Sequence, residues 1–497
     1  MTDRILTART NPTVNTNRRR FVFSASAALG ASLLGPAFPV RAQATGSNGA
    51  LRVGIIGCGS KGTHAIKKML GQPNVNIAAV CDPDTTAMEK HQKMCTDAGK
   101  AKPQAIRDFR ECCASANVDA VIISTPNHTH TLLAMTAIAA GKHVYVEKPV
   151  SHNIREGRLL AEAAAKRPNL IVQHGMQRRS DTGWHEIMDW VKAGNLGKIK
   201  TSLGLNFKPR KSIGKTNGPV QPPASVDYNL WCGPRETKPL HRKQFHYDWH
   251  WQWDYGNGDI GNQGPHQLDV ARWALDQMKL PSAVMSVGGR FGYEDDGETP
   301  NTQFALFDYK PAPLLFDNRG LPRKNMDWAI GEPRMHGVSI ANIIECEGGL
   351  IAESRALDAN GKTIKKFAVT DGEGHMENWI KAIGAGKLTR PDHGVLDGHL
   401  SASLAHLANI SYRLGKSANP DEIRERLQGD KRALELNEAF LEHLVANGLD
   451  PAKSPIRCGV LLSFDPDKEV FTGEFADEAN ALVAGTYREE FKLPVIT

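Results

Sequence analysis

The chain has 497 residues, with 61 Lys and Arg against 54 Asp and Glu and a formal net charge of +7. That length exceeds what one hydrophobic core serves and predicts two domains with appendages. Six Arg and one Asp fall in the first 44 residues, leaving 55 basic against 53 acidic residues beyond them, so composition makes no electrostatic case for a nucleic-acid partner.

The first element is a leader. Asn17-Arg18-Arg19-Arg20-Phe21-Val22-Phe23 precedes a modest apolar run, Ser24 to Phe38, and then Ala42-Gln43-Ala44, a small-x-small cleavage site. This pattern predicts a twin-arginine export signal over residues 1–44 and a periplasmic or otherwise exported mature protein. The run is too short and small-sided to span a bilayer, and no later stretch is long and apolar enough, so no membrane span is expected in the mature chain. The eight cysteines form no spaced framework and no C-x-x-C motif, so zinc is not expected.

Residues 51–62, Leu-Arg-Val-Gly-Ile-Ile-Gly-Cys-Gly-Ser-Lys-Gly, read as a buried strand entering a glycine-rich turn. Gly57, Gly59 and Gly62 have G-x-G-x-x-G spacing, with Ser60 and Lys61 between them, and a helical pattern opens at His64. In a dinucleotide site the first glycine permits the tight turn and the second lets backbone approach a pyrophosphate. The third allows close helix–strand packing, and the helix N-terminus offers free N–H groups to the phosphates. The next apolar run, Val75 to Cys81, ends at Asp82, 25 positions after Gly57, where a ribose-binding carboxylate belongs. Such an acid repels a 2′-phosphate and no Arg follows it directly, so the expected cofactor is NAD rather than NADP.

Repeated βα units continue to about residue 173 and predict a doubly wound parallel sheet over residues 45–172. Three strand ends deliver polar residues to the crevice of such a sheet: Thr125-Pro126-Asn127-His128-Thr129-His130, Glu147-Lys148-Pro149, and Gln173 to Arg178. Lys148 can hold a substrate hydroxyl and exchange a proton, because burial beside a cofactor cation disfavours its charge, although a surface Lys paired with Glu147 explains the position equally well. Gln177 and Arg178 are candidate substrate-binding residues.

Beyond that point alternating runs at 199–207, 283–293, 302–309 and 339–346 predict a larger, open, mainly antiparallel sheet with one helix-covered face, within a domain over residues 173–416. The aperiodic segment Lys208 to Pro234 reads as a lid or an oligomer arm. Residues 417–497 read as a C-terminal extension of mixed helix and loop. Around Trp249, Trp251 and Trp253 flat aromatic faces suit sugar rings, and a helix from Asn262 brings Asn262 and His266 to one face with Asp269 three positions on. An amide, an imidazole and an orienting acid there suit acid–base work on a hydroxyl, although a buried, satisfied His explains the same pattern. His246, Asp248 and His250 would share one face of a strand, but no fourth metal ligand is evident and no metal is expected.

Together, Gly57-x-Gly59-x-x-Gly62, Asp82, Thr125-Pro126-Asn127-x-x-His130, Glu147-Lys148-Pro149 and Gly264-x-His266-x-x-Asp269 resemble the glucose-fructose oxidoreductase / inositol dehydrogenase / MocA family over roughly residues 51–410. The leader, Gly175 to Arg179 and Gly261 to Gly264 resemble its exported branch. The resemblance implies an α/β protein, a Rossmann domain followed by an open-sheet α/β domain, with a tightly held nicotinamide and hydride transfer at a sugar or polyol carbon. It also implies a homo-oligomer, with Lys148 and His266 matching the catalytic lysine and acid–base histidine. Asn262 departs from the Asp common among sugar and inositol dehydrogenases. That departure keeps open a redox-neutral glycoside hydrolase or lyase using transient oxidation, and beyond it a non-catalytic carbohydrate-binding relative.

Overall fold

The computed structural model describes residues 49–370, 372 and 374–497, and the export signal expected over residues 1–44 lies outside them. The first domain alternates β1 (Leu51–Ile56), α1 (Ser60–Leu70), β2 (Val75–Cys81), α2 (Thr85–Asp97), β3 (Gln104–Ile106), α3 (Phe109–Ala114), β4 (Ala120–Ile123), α4 (His130–Ala139), β5 (His143–Val146), α5 (Ile154–Ala165) and β6 (Val172–His174). Its strands pair in parallel in the order β3-β2-β1-β4-β5-β6. Helix starts follow local chemistry: Asp84 accepts from the Thr86 N–H, and Asn153 from the Glu156 N–H, satisfying donors that the first turn leaves free. β6 runs across the expected boundary after residue 172, so the first sheet ends two residues later than predicted.

The second domain comprises α6 (Thr182–Lys192), β7 (Ile199–Asn206), α7 (Tyr228–Cys232), α8 (Gly258–Asn262), α9 (Gly264–Ala274), β8 (Ala283–Gly289), β9 (Thr302–Phe307), β10 (Leu314–Arg319), β11 (Ile340–Cys346), β12 (Gly349–Ala352), β13 (Arg355–Asp358), β14 (Thr363–Lys366), α10 (His375–Ala385) and α11 (Val395–Leu414). The last eighty residues add β15 (Lys416–Ser417), α12 (Pro420–Leu427), α13 (Lys431–Ala446), β16 (Arg457–Cys458), β17 (Leu462–Asp465), β18 (Val470–Thr472) and α14 (Ala476–Asn480). The larger sheet is antiparallel except where β10 joins β7 in parallel, and β16 and β17 both extend it from β8.

Two expectations need correction. The sheet is not covered on one face alone. Leu268, Leu400, Leu404 and Leu407 of α9 and α11 pack on Val284, Ala305, Leu314 and Phe316, while Ile423, Leu427, Leu436 and Phe440 of α12 and α13 pack on Leu203, Met285, Phe304 and Leu315. Adjacent strand residues point to opposite faces, so this alternation of apolar residues on both sides needs two helical layers. Nor is 417–497 a separate appendage, because it supplies three strands and one of those layers. Elements from late in the chain also finish the first domain. Met376 and Trp379 of α10 cover one face of its sheet, and Phe491 and Ile496 join the core on the other.

Candidate functional site

The glycine-rich turn has the shape its spacing implies. Gly57 has φ +95°, and a Cβ there would lie 2.7 Å from the Ser124 backbone; at Gly62 one would meet the Gly57 carbonyl at 1.9 Å. At Gly59 a Cβ would touch nothing, since that backbone faces open space. Gly59 is also the N-cap of α1, with no side-chain cap and no acid in the first turn, so the uncovered N–H groups and positive helix end face the same cleft. A diphosphate fits this cradle. Asp82 closes it from the end of β2, accepting from the Cys58 N–H at 2.6 Å and the Asp84 N–H at 2.8 Å. Burial pushes its carboxyl up to about 6, against the pull of those two donors.

The cleft, about 330 Å³, runs between the domains. Gly57, Gly59, Ser60, Lys61, Asp82, Thr125, Pro126, Asn127, His130, Glu147 and Lys148 line it from the first domain, with Gly62 packed beneath the turn. Asn127 donates to Asn257 of the second domain, while the His130 ring nitrogens sit 2.6 Å from the Pro149 carbonyl and 2.7 Å from that of Thr125. His130 therefore staples the ends of β4 and β5 together.

At the far end Lys148, Asn262 and His266 share the lining. Lys148 Nζ donates to the Asn262 carbonyl at 2.5 Å and to its Oδ1 at 3.3 Å, so Asn262 aims the amine. Burial lowers the ammonium to about 8, with Glu147 pulling the other way and Lys61, Arg210 and Lys208 adding to the fall. His266 is held well below the usual imidazole range, first by burial and then by Lys148, which keeps it neutral and able to accept a proton. A second neutral imidazole, His250, stacks on Trp249 at 3.7 Å and donates from Nδ1 to the Tyr247 carbonyl. Burial lowers it to about 3. The arrangement sets the Lys148 ammonium beside two neutral imidazoles, with Lys61, Lys208 and Arg210 in the same lining.

Several predicted residues fall elsewhere. Asp269 does not orient His266. It is buried in ion pairs with Arg179 (2.8 Å) and Arg272 (3.5 Å), accepts from Ser401, and is held far below the carboxylate range chiefly by Arg179 against the cost of burial. Asn262 and His266 are not one helix apart either, since α8 ends at Asn262 and α9 starts at Gly264. Gln177 and Arg178 lie outside the lining; Arg178 pairs with Glu353 at 2.7 Å and sits over Trp184. Of the tryptophans, Trp249 reaches the cleft, whereas Trp251 is buried with its indole N–H on Asp259, and Trp253 stacks with Arg413. His246, Asp248 and His250 do not share a strand face: a 3-10 turn spans Asp248–Trp251, His246 just before it pairs with Asp84, and Asp248 accepts from the Gln244 N–H.

Sequence reasoning missed Lys208, Arg210, Leu230, Trp231 and Arg107, which also line the cleft. Arg107 follows β3, and Lys208 and Arg210 follow β7, so strand ends were the signal available. The segment 208–257 is the roof of the cleft. Its Val226 bridges to Asp84, and Trp231, Phe245, Trp249 and Tyr255 give it a small core. No helix among the described residues is long and apolar enough to cross a membrane.

Residues 51–175 match the oxidoreductase family of glucose-fructose oxidoreductase, inositol dehydrogenase and MocA in its NAD-binding Rossmann fold, and residues 184–289 match that family's C-terminal alpha/beta domain. Inositol 2-dehydrogenase 3 of Saccharopolyspora erythraea is 32% identical over 148 residues, 30% of this chain and 42% of the relative. A glycosyl hydrolase family 109 protein of the same organism is 33% identical over 150 residues, 29% of this chain and 31% of the relative. The chain thus spans less than half the length of these two curated relatives. Among solved structures, the WlbA dehydrogenase from Bordetella pertussis in complex with NADH and UDP-GlcNAcA superposes with a TM-score of 0.53 at 18% identity, over 73% of this chain and 97% of that one. Scyllo-inositol dehydrogenase from Lactobacillus casei with bound NAD(H) and scyllo-inositol gives 0.50 at 17% identity, over 72% and 95%. These likenesses establish the fold.

Proposed function

We propose that this chain, which carries the NAD-binding and C-terminal domains of the glucose-fructose oxidoreductase / inositol dehydrogenase / MocA oxidoreductases, is an NAD-dependent dehydrogenase of a sugar or polyol. The observation that carries the reading is the convergence of Lys148 and His266 on the cleft that the nucleotide turn opens. NAD would be held by the α1 N-terminus and Asp82 and would supply the hydride acceptor. Neutral His266 takes the hydroxyl proton of the substrate. Lys148, as an ammonium aimed by Asn262, holds the oxygen as its charge develops. Purified protein incubated with a panel of sugars and polyols should form NADH with at least one. Lys148→Ala should lower kcat by about a hundredfold or more, the loss expected of one donor that stabilises a developing oxyanion. Since the ammonium is charged below about 8, wild-type turnover should decline as the pH rises through that value. Near-wild-type turnover without Lys148 would remove it from the mechanism.

A second reading rests on Asn262, whose amide takes no proton, and on the family 109 glycosyl hydrolase relative. Transient oxidation followed by elimination and re-reduction would cleave a glycoside without net NADH, and aglycone release with no absorbance change at the nicotinamide band distinguishes it. Export through the twin-arginine pathway is part of the proposal and rests on residues 17–44 alone. Mass spectrometry of the exported protein should find Thr45 as its first residue, and an intact N-terminus would count against it.

A further inference from the structure

Lys208 and Arg210 leave β7 and enter the cleft lining beside Lys148, His250 and His266. Arg210 is fixed. Its Nε donates to Asp259 at 3.0 Å, its Nη1 to the Tyr247 hydroxyl at 3.0 Å, and its guanidinium lies over Trp251. Asp259 also accepts from the Trp251 indole, so one buried carboxylate is already shared between two donors. Lys208 is half-buried, and among the described residues it has no hydrogen bond or ion pair to the protein. A cation withdrawn from water without a partner is costly, and here it stands beside Arg210 and Lys148, while Asp259 is already taken by Arg210 and Trp251 and Glu147 is flanked by Lys61 and Lys148. Burial accordingly lowers the Lys208 ammonium, with Arg210 adding to the fall.

We infer that the substrate end of the cleft is built for an anionic sugar or polyol, one carrying a carboxylate or phosphate group that Lys208 binds with Arg210 alongside. This deepens the proposed dehydrogenase reading by naming the substrate class. Arg210 offers Nη2, which has no protein partner among the described residues, in a fixed plane, and Lys208 offers a mobile point charge. The pairing suits one anionic group whose position is set by the arginine and whose charge is balanced by the lysine.

The test is a fluorescence titration of the NAD-loaded full-length protein, using the tryptophans at the cleft as reporters. Ligands are glucose and galactose, their hexuronates, and their 6-phosphates. At least one anion should bind about tenfold or more tighter than its neutral parent, as expected of one charge-assisted contact. Hexuronate preference assigns a carboxylate and 6-phosphate preference assigns a phosphate. Lys208→Gln should abolish that preference with NAD affinity unchanged, and Lys208→Arg should retain most of it. Equal binding of charged and neutral sugars would overturn the inference, and so would a Lys208→Gln loss that falls equally on both. NADH formation is recorded in the same samples. Anion preference without hydride transfer sinks the dehydrogenase reading alone, whereas hydride transfer without anion preference sinks this one.

Discussion

Asp82 sits where its two backbone donors, Cys58 and Asp84, pull its proton off while burial holds it on, and burial prevails at about 6. Ribose hydroxyls donate more strongly to a carboxylate than to a neutral acid. Binding NAD therefore favours the ionised form, and protons must be displaced when the pH lies below the carboxyl's free-state value. Affinity should weaken as the pH falls through 6, to about a tenth at pH 5 of its value at pH 7. Equilibrium titration of NAD across that range checks this, and Asp82→Asn should give a nearly flat profile. A flat wild-type profile would show that the acid does not meet the ribose. Asp82, Lys148 and His266 were legible because each belongs to a short motif at a strand end or helix start. Asp269 misled for the opposite reason. Its governing partner, Arg179, lies 90 positions earlier, and Arg272, three positions on, reads in the sequence as an ordinary helix-surface cation although it too is buried against Asp269. Trp251 and Trp253 misled because aromatic residues in a run do not reveal which of them packs inward.

Elements show the same division. The βα units of the first domain were readable because each has an apolar strand beside an amphipathic helix. The short strands β12 to β18 were not, since two to four residues carry too little period to separate strand from loop. Nor could local pattern show that the roof over the cleft is held down by the last residues of the chain. Arg488 does this. Its Nε donates to the Gly233 carbonyl at 2.9 Å and its Nη2 to those of Asn229 (2.8 Å) and Gly233, while Asn229 Oδ1 accepts from Nη1. Gly233 and the neighbouring Leu230 and Trp231 line the cleft, so this one side chain fastens α7 over it. Arg488→Ala removes charge-assisted bonds to backbone carbonyls and should cost about 1–3 kcal/mol of stability. It should also weaken NAD severalfold without changing the pH dependence set by Asp82. Denaturation and NAD titration of the same variant check both parts, and an unchanged NAD affinity would show that the roof holds its place without the strap.

Across the whole molecule, the cofactor cleft belongs to no single stretch of chain. Its floor is the first sheet, its roof is residues 208–257, and its fastening is the tail. A buried network makes the same connection beneath the roof, where Glu156 of α5 pairs with Arg235 at 3.2 Å and accepts from the Tyr487 hydroxyl at 2.6 Å. Separating the domains breaks these bonds and strips Phe491 and Ile496 from the core of the first sheet, so separation of the domains and their unfolding are coupled. A ligand that binds only the assembled cleft then stabilises the entire chain rather than the Rossmann domain alone. At a free NAD concentration about a hundred times Kd, the gain should be roughly 2.7 kcal/mol. In chemical denaturation this predicts one transition followed identically by tryptophan fluorescence and far-UV circular dichroism, moved as a unit to higher denaturant by NAD. Two transitions, of which NAD shifts only one, would mean that the domains unfold independently and that roof, tail and sheet do not act as one structure.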